Sequence, residues 1–278
     1  MVRTTVNWEN SLSPEEWLKT RNTSDWKTKF EEEGYMRIKD ILNNEELETY
    51  RNVYDQLLSG EIDAATHRHD LGNHLDQKVK NTENICQIMW PSLFVENLLQ
   101  GPYHRRAIKC AQVIFGEDME FDFDMMISKA PHTDTIMPWH QDESYWPNLP
   151  DKRAISFWLS LDNATEDNGC MQFVPGSHKK PLRSHQPVQL GHHSLSCDAN
   201  ENEFVAVPIP PGSCTLHHGR TIHYTRGNST SHPRRAMTVV VRPREMVKLE
   251  RESGFDHGKS QGVGKILGVG QGHEHDKS

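Results

Sequence analysis

The spacing of apolar positions changes partway along the chain. Up to about residue 115 it is mostly helical. Trp26 and Phe30 mark one short helix that ends at Gly34, and the apolar stretch Tyr35 to Ile38 follows. A second helix opens at Asn43 or Asn44, where asparagine can cap free N–H groups. Leu47, Tyr50, Val53, Tyr54, Leu57 and Leu58 recur at three-to-four spacing along it, and Gly60 closes it. A third helix is expected from Pro91 to about Phe115, interrupted at Gly101-Pro102.

After residue 118 the period becomes two. Phe121, Phe123, Met125 and Ile127 alternate with Asp122, Asp124, Met126 and Ser128, the period of two expected of a half-buried strand. Short strands are predicted at 154–161, 170–174, 204–209, 213–217, 221–225 and 236–241, separated by turns such as Pro175-Gly176-Ser177 and Pro210-Pro211-Gly212. Many short strands at this spacing mean a sandwich or a barrel. The segment 61–80, with Thr66-His67-Arg68-His69 and His74, reads either as a solvated turn or as a loop near something that wants histidine. From Ser253 onward the chain is rich in Gly, His and Lys and has too little apolar surface to order itself, so 253–278 is expected to be a flexible tail.

At 278 residues the chain suits one domain, expected over 1–252, with a helical part at about 12–115 and a β core at about 119–243. The net charge of −8 offers no footprint for a phosphate backbone, so nucleic acid is not an expected partner. No apolar run can span a bilayer and the first residues lack a secretory h-region; the expectation is a cytoplasmic protein with no membrane span. Five scattered cysteines without C-x-x-C spacing point to reduced thiols. The 17 histidines turn attention to metal.

The central motif is Trp139-His140-Gln141-Asp142, joined far downstream by His223. On an extended segment the first and third side chains of H-x-D point the same way, so His140 and Asp142 can reach one metal while Gln141 faces away. Two imidazoles and one carboxylate on one face of an octahedral ion leave three positions open, as an Fe(II) that binds a keto acid and then O2 requires. Arg234, on a strand returning from His223, can grip the far carboxylate of 2-oxoglutarate with its planar fork.

With these pieces in place, the run from His140 to Ala236 resembles the phytanoyl-CoA dioxygenase family of Fe(II)/2-oxoglutarate oxygenases. The matching pieces are His140-Gln141-Asp142, Trp158, Asp167 to Met171, Val174 to His178, and His223 through Asn228 to Arg234-Arg235-Ala236; Phe30 to Tyr35 with the 44–50 helix resembles the family's entry segment. The resemblance implies a mainly β fold with flanking helices around a double-stranded β-helix, a cupin-like jelly roll. It implies iron at His140, Asp142 and His223, and 2-oxoglutarate held by Arg234 with the Thr225 hydroxyl. Trp158, Met125 and Gln87 match positions lining the co-substrate pocket. The implied reaction consumes O2 and releases succinate and CO2 while a small-molecule substrate is oxidised. Some relatives are halogenases with a small residue in place of the acidic ligand; Asp142 is intact, which favours hydroxylation or desaturation.

Other readings stay open at this point. His217 and His218 compete with His223 for the distal ligand, and His178 suits a turn. Arg153, Arg220 and Arg226 suit either an anionic substrate at the mouth or plain solvation, and 181–203 with 61–90 suit the lips of a pocket. The same three ligands could hold zinc in a hydrolase, or a metal in a jelly roll without turnover. The sequence does not reveal the substrate or oligomeric state.

Overall fold

The computed structural model describes residues 4–72, 83–188, 194–199 and 203–262. Helix α1 (Pro14–Lys19) starts from a capping box in which Ser13 and Glu16 satisfy each other's backbone N–H. Helix α2 (Trp26–Glu33) ends at Gly34, whose φ of +78° places it in the left-handed region that glycine enters without penalty. Its neighbour α3 (Asn44–Ser59) opens on Asn43, reciprocally bonded with Glu46, and buries Leu47, Tyr50, Val53, Tyr54 and Leu57. These bounds follow the sequence signals closely.

The third helix, α4, spans only Pro102–Phe115. Proline has no N–H to continue a helix but fits its first turn, so Pro102 starts this helix where an interruption was expected. Pro91–Leu93 is an isolated turn, and Val95–Glu96 pairs in parallel with Thr4–Thr5. Arg106 of α4 reaches Glu46 of α3 through two 2.7 Å bonds, fixing the two helices together in the core.

Eleven further strands build two antiparallel sheets: β1 (Tyr35–Ile38), β2 (Arg68–Asp70), β3 (Ile85–Met89), β4 (Met119–Lys129), β5 (Met137–His140), β6 (Ile155–Ser160), β7 (Met171–Phe173), β8 (Val205–Val207), β9 (Cys214–His218), β10 (His223–Thr225) and β11 (Arg234–Pro243). The larger sheet runs β1-β9-β6-β11-β4-β3-β2 and the smaller β8-β7-β10-β5. Facing each other, they form the jelly roll. The part expected to be helical therefore also contributes three of the seven strands of the larger sheet. That sheet's outer face, with Met126, Ile155, Phe157, Leu159, Met237 and Val239, packs on the helices.

Strand β4 is better covered on its polar face. Phe121, Met125 and Ile127 are only half-buried, whereas Asp122, Asp124, Met126 and Ser128 are buried. Alternation defines two faces without saying which is better covered, and here the polar face is the covered one because its acids are paired. Asp124 is bonded to His104 of α4 and receives the Ser92 hydroxyl. Asp122 lies among Arg242, Arg251 and His257.

The chain after α5 (Arg244–Glu252) also departs from expectation, because residues 253–262 pack on the core. His257 is buried, its ring stacks on Phe123 at 3.8 Å between centroids, and the carbonyls of Asp256 and His257 accept from the Trp90 indole. Backbone bonding and one aromatic stack order this strap despite its polar composition. Residues 263–278 of the expected tail lie outside the described residues. Where a solvated turn or a loop near something that wants histidine was expected, a short turn at Ala65–His67 leads into the edge strand β2: His67 packs edge-on to Phe94 and bonds to the Lys259 carbonyl, while His69 pairs in register with Gln87. His74 lies outside the described residues. All five cysteines are buried free thiols, and no described helix is long and apolar enough to cross a membrane.

Candidate active site

Sheet register sets the site. Gln87, Met125, Thr238, Trp158 and Thr215 lie on the inner face of the larger sheet, with Met125, Thr238, Trp158 and Thr215 in one row across β4, β11, β6 and β9. The next row carries Phe123, Val240, Ser156 and His217. Opposite them, His140 of β5 and His223 of β10 are in register with each other and with Phe173.

His140, Asp142 and His223 converge so that one donor atom from each lies within 4.8 Å of the others. The backbone at Gln141 is extended, which keeps His140 and Asp142 on one side. The Gln141 side chain turns away to donate to the Arg220 carbonyl and accept from the Arg183 N–H. Each histidine's Nδ1 lies against a carbonyl two residues earlier, Pro138 at 2.7 Å and Thr221 at 2.9 Å. A carbonyl only accepts, so Nδ1 carries the proton and Nε2 presents a lone pair to the centre. Asp142 Oδ1 is 3.4 Å from His223 Nε2 and 3.7 Å from His140 Nε2. Three acceptors meeting with no proton between them fit a cation.

Protonation states agree with this. Burial, reinforced by His223, pushes His140 down to about 3. Burial alone would favour a neutral Asp142, but His223 and His217 beside it hold the carboxyl well below its ordinary range. At neutral pH one neutral imidazole and one carboxylate are thus ready to bind metal.

The far end of the pocket holds Arg234, 1% exposed, with its guanidinium carbon 5.0 Å from the centre of the Trp158 ring. Its Nε and Nη1 have no hydrogen-bond partner, and among the described residues no carboxylate pairs with it. Burial lowers its pKa to about 10. The nearby Asp162 is taken by Arg235, through 2.8 Å and 2.7 Å bonds. A buried guanidinium with free N–H groups fits an incoming carboxylate. Thr225 is buried two residues beyond His223, on the same face of β10. The Gln87 amide lies 3.1 Å from the Met125 sulfur, so these two form one wall.

Position separates the alternatives that the sequence raised. His217 is buried near the centre, but its Nε2 bonds to Asp142 Oδ2 at 3.1 Å, so it supports the carboxylate and is absent from the converging set. His218 accepts from the Arg220 N–H, and His178 lies against the Glu31 carbonyl. Arg220 is bonded to Glu143, and Arg153 to Asp151 and Asp118; Arg226 is exposed. The described part of 181–203 packs on the motif segment: Gln141 N–H donates to His185, and Leu195 N–H to the Tyr145 hydroxyl. Sequence reasoning missed Ser156, whose hydroxyl is 2.6 Å from Asp142 Oδ2, and Lys129, which faces Arg234 in register. Neither has a local motif; only strand pairing brings them in.

A jelly roll with two histidines and a carboxylate converging inside, and a buried free arginine beyond them, defines a non-haem iron oxygenase with a keto-acid co-substrate. The sequence pattern of the phytanoyl-CoA dioxygenase (PhyH) family matches residues 30–236, and the chain belongs to that family. It is 24% identical over 217 residues to a probable alpha-ketoglutarate-dependent hypophosphite dioxygenase of Stutzerimonas stutzeri, spanning 75% of this chain and 74% of that one. The fold matches EvdO2 from Micromonospora carbonacea var. aurantiaca complexed with 2-oxoglutarate, at 27% identity and a TM-score of 0.66, over 80% of this chain and 90% of that one. It also matches the carbocyclase SnoK from nogalamycin biosynthesis, at 20% identity and a TM-score of 0.64, over 83% and 85%. The protein is an Fe(II)- and 2-oxoglutarate-dependent oxygenase that uses O2.

Proposed function

We propose that His140, Asp142 and His223 hold the iron, that Arg234 and Thr225 grip the far carboxylate of 2-oxoglutarate, and that the enzyme hydroxylates an unactivated C–H bond of a small molecule. Bound iron, 2-oxoglutarate and O2 supply the oxidation, with release of succinate and CO2. The chain's own contribution is placement. The Nδ1 bonds from His140 and His223 fix both rings, and Trp158 supports the guanidinium from below. Met125 and Gln87 wall the co-substrate side.

The observation that carries this reading is the pairing of an acceptor-only triad with the unpartnered Arg234. A zinc hydrolase built on the same ligands has no use for a buried dicarboxylate anchor. A metal-binding jelly roll without turnover would need the same geometry, so succinate release separates it. The intact Asp142 favours hydroxylation over halogenation, and the acidic net charge favours a small-molecule substrate over nucleic acid. Five buried free thiols suit a cytoplasmic setting.

The test is an anaerobic titration of apo-protein with Fe(II) and then 2-oxoglutarate, followed by the weak visible charge-transfer band of keto-acid chelation. A band that needs both, followed by succinate release and a hydroxylated product in a substrate screen, is the expected result. Absence of the band overturns the cofactor arrangement, and succinate release with a desaturated or cyclised product overturns hydroxylation alone.

A further inference from the structure

The two oxygens of Asp142 have different surroundings. Oδ1 faces the Nε2 atoms of His223 and His140. Oδ2 is 2.6 Å from the Ser156 hydroxyl and 3.1 Å from His217 Nε2. An ionised carboxylate only accepts, so Ser156 O–H and His217 Nε2–H both donate to this single oxygen. The two donors are themselves neighbours: Ser156 of β6 and His217 of β9 are directly in register. Their spacing is therefore set by the central strands of the larger sheet. The His217 ring is held between Phe173, at 5.4 Å, and His223, at 4.3 Å, and its Nδ1 is buried without a partner. The only N–H of that neutral ring is committed to Asp142.

A carboxylate can bind a metal through one oxygen or both, and the choice changes how many positions remain. Three protein donor atoms leave three positions, of which a keto acid takes two. If both oxygens of Asp142 bound, the site would lose one of those three. The geometry points to Ser156 and His217 as a pair of positioning residues that saturate Asp142 Oδ2, hold the carboxylate to one-oxygen coordination and thereby keep open the third position, the one a keto acid leaves for O2. This rests on the assignment of His140, Asp142 and His223 as iron ligands. It predicts a separation of affinities: without the clamp Asp142 still holds iron, through one oxygen or two, and 2-oxoglutarate still finds two positions, while a diatomic ligand must displace the second oxygen to bind.

The experiment measures Fe(II) affinity, then 2-oxoglutarate affinity by the visible band, then the affinity of the loaded site for nitric oxide as a stand-in for O2, anaerobically, in full-length His217→Phe, Ser156→Ala, the double variant, His217→Gln and Asp142→Ala. His217→Phe preserves ring bulk without the donor, and His217→Gln restores an N–H donor. The expected result is Fe(II) and 2-oxoglutarate affinities within about threefold of wild type in the clamp variants, with nitric oxide affinity reduced about tenfold in each single variant and further in the double, in line with the effect of removing such supporting bonds. His217→Gln should recover most of the loss. Unchanged nitric oxide affinity in the double variant overturns the clamp. So does a parallel loss of iron, 2-oxoglutarate and thermal stability that His217→Gln does not recover, since that is a merely structural role. Asp142→Ala separates the two readings: iron affinity equal to wild type there overturns the ligand assignment itself, whereas its loss beside indifferent clamp variants overturns only the clamp.

Discussion

Lys129 and Arg234 stand directly opposite each other across the β4–β11 pairing, two buried cations in register. Lys129 gives its three donors to the carbonyls of Thr135, Thr225 and Arg226, which ties β4 to the end of β10. Burial, then the charge of Arg234, pulls the lysine well below its ordinary pKa. Arg234 has no such outlet and keeps free N–H groups. The chain thus tolerates like charges side by side at the place where a dicarboxylate is proposed to sit.

One consequence is ligand-linked stability. With a non-oxidisable metal such as Mn(II) bound, 2-oxoglutarate at a hundred times its dissociation constant should stabilise the fold by about 2.7 kcal/mol. Thermal unfolding should show an upward shift of several degrees, absent in Arg234→Ala. A shift of equal size in that variant would place the carboxylate elsewhere.

Arg234→Ala should reduce 2-oxoglutarate affinity roughly 10- to 150-fold, corresponding to about 1.5–3 kcal/mol for charge-assisted bonds, and leave Fe(II) affinity unchanged. Its neighbour is the control. Arg235 is already bonded to Asp162 and Asp55, so Arg235→Ala should leave 2-oxoglutarate binding near wild type. Reversal of the two effects would exchange their roles.

Asp142→Ala removes one of three converging donors and the only charged one. Iron retention after gel filtration, measured by metal analysis, should fall sharply, and succinate formation should cease. Near-normal 2-oxoglutarate consumption would contradict the triad.

Lys129→Met should destabilise the protein by about 2–4 kcal/mol, because the buried carbonyls it serves lose their donor. Urea unfolding would read this as a lower midpoint with an unchanged slope. A midpoint within error of wild type would mean that other groups satisfy those carbonyls.

The strap at 253–262 should loosen as pH rises. Burial disfavours a charged His257, yet Asp122 and Glu250 beside it raise its pKa above the ordinary value, even with Arg242 and Arg251 bonded to the same acids. A histidine raised on folding contributes stability that is complete below its unfolded pKa of about 6.5 and is lost as pH climbs through the folded value. Hydrogen exchange, corrected for intrinsic rates, should show protection of the strap falling as pH rises above about 6.5, and His257→Phe should abolish that dependence. Protection that rises with pH would reverse the assigned sign.

What was legible in the sequence was whatever local rules control. Asn43, Glu46 and Gly60 mark the ends of α3, and the alternation in His140-Gln141-Asp142 correctly turns Gln141 away from its neighbours. The family motifs brought Arg234, Trp158, Met125 and Gln87 to one inner face. Hidden were the features set by pairing between distant strands. Alternation could not tell that Asp122 and Asp124 are covered, because their partners, His257 and His104, lie on other elements. Ser156 and His217 are ordinary strand residues until β6 and β9 align them. Composition also failed for the strap, whose order comes from backbone carbonyls and one ring rather than from apolar bulk.

Strand β1 carries the consequence for how the molecule assembles. Tyr35 pairs with His217 across β1 and β9, so one edge of the larger sheet joins segments near opposite ends of the chain. Closing so long a loop is entropically costly and slow compared with forming α3 or α4. β9 also carries His217 in register with Ser156 of β6. The support beneath Asp142 therefore rests on long-range strand pairing, and it is the finished sheet that prepares the place where iron is proposed to sit.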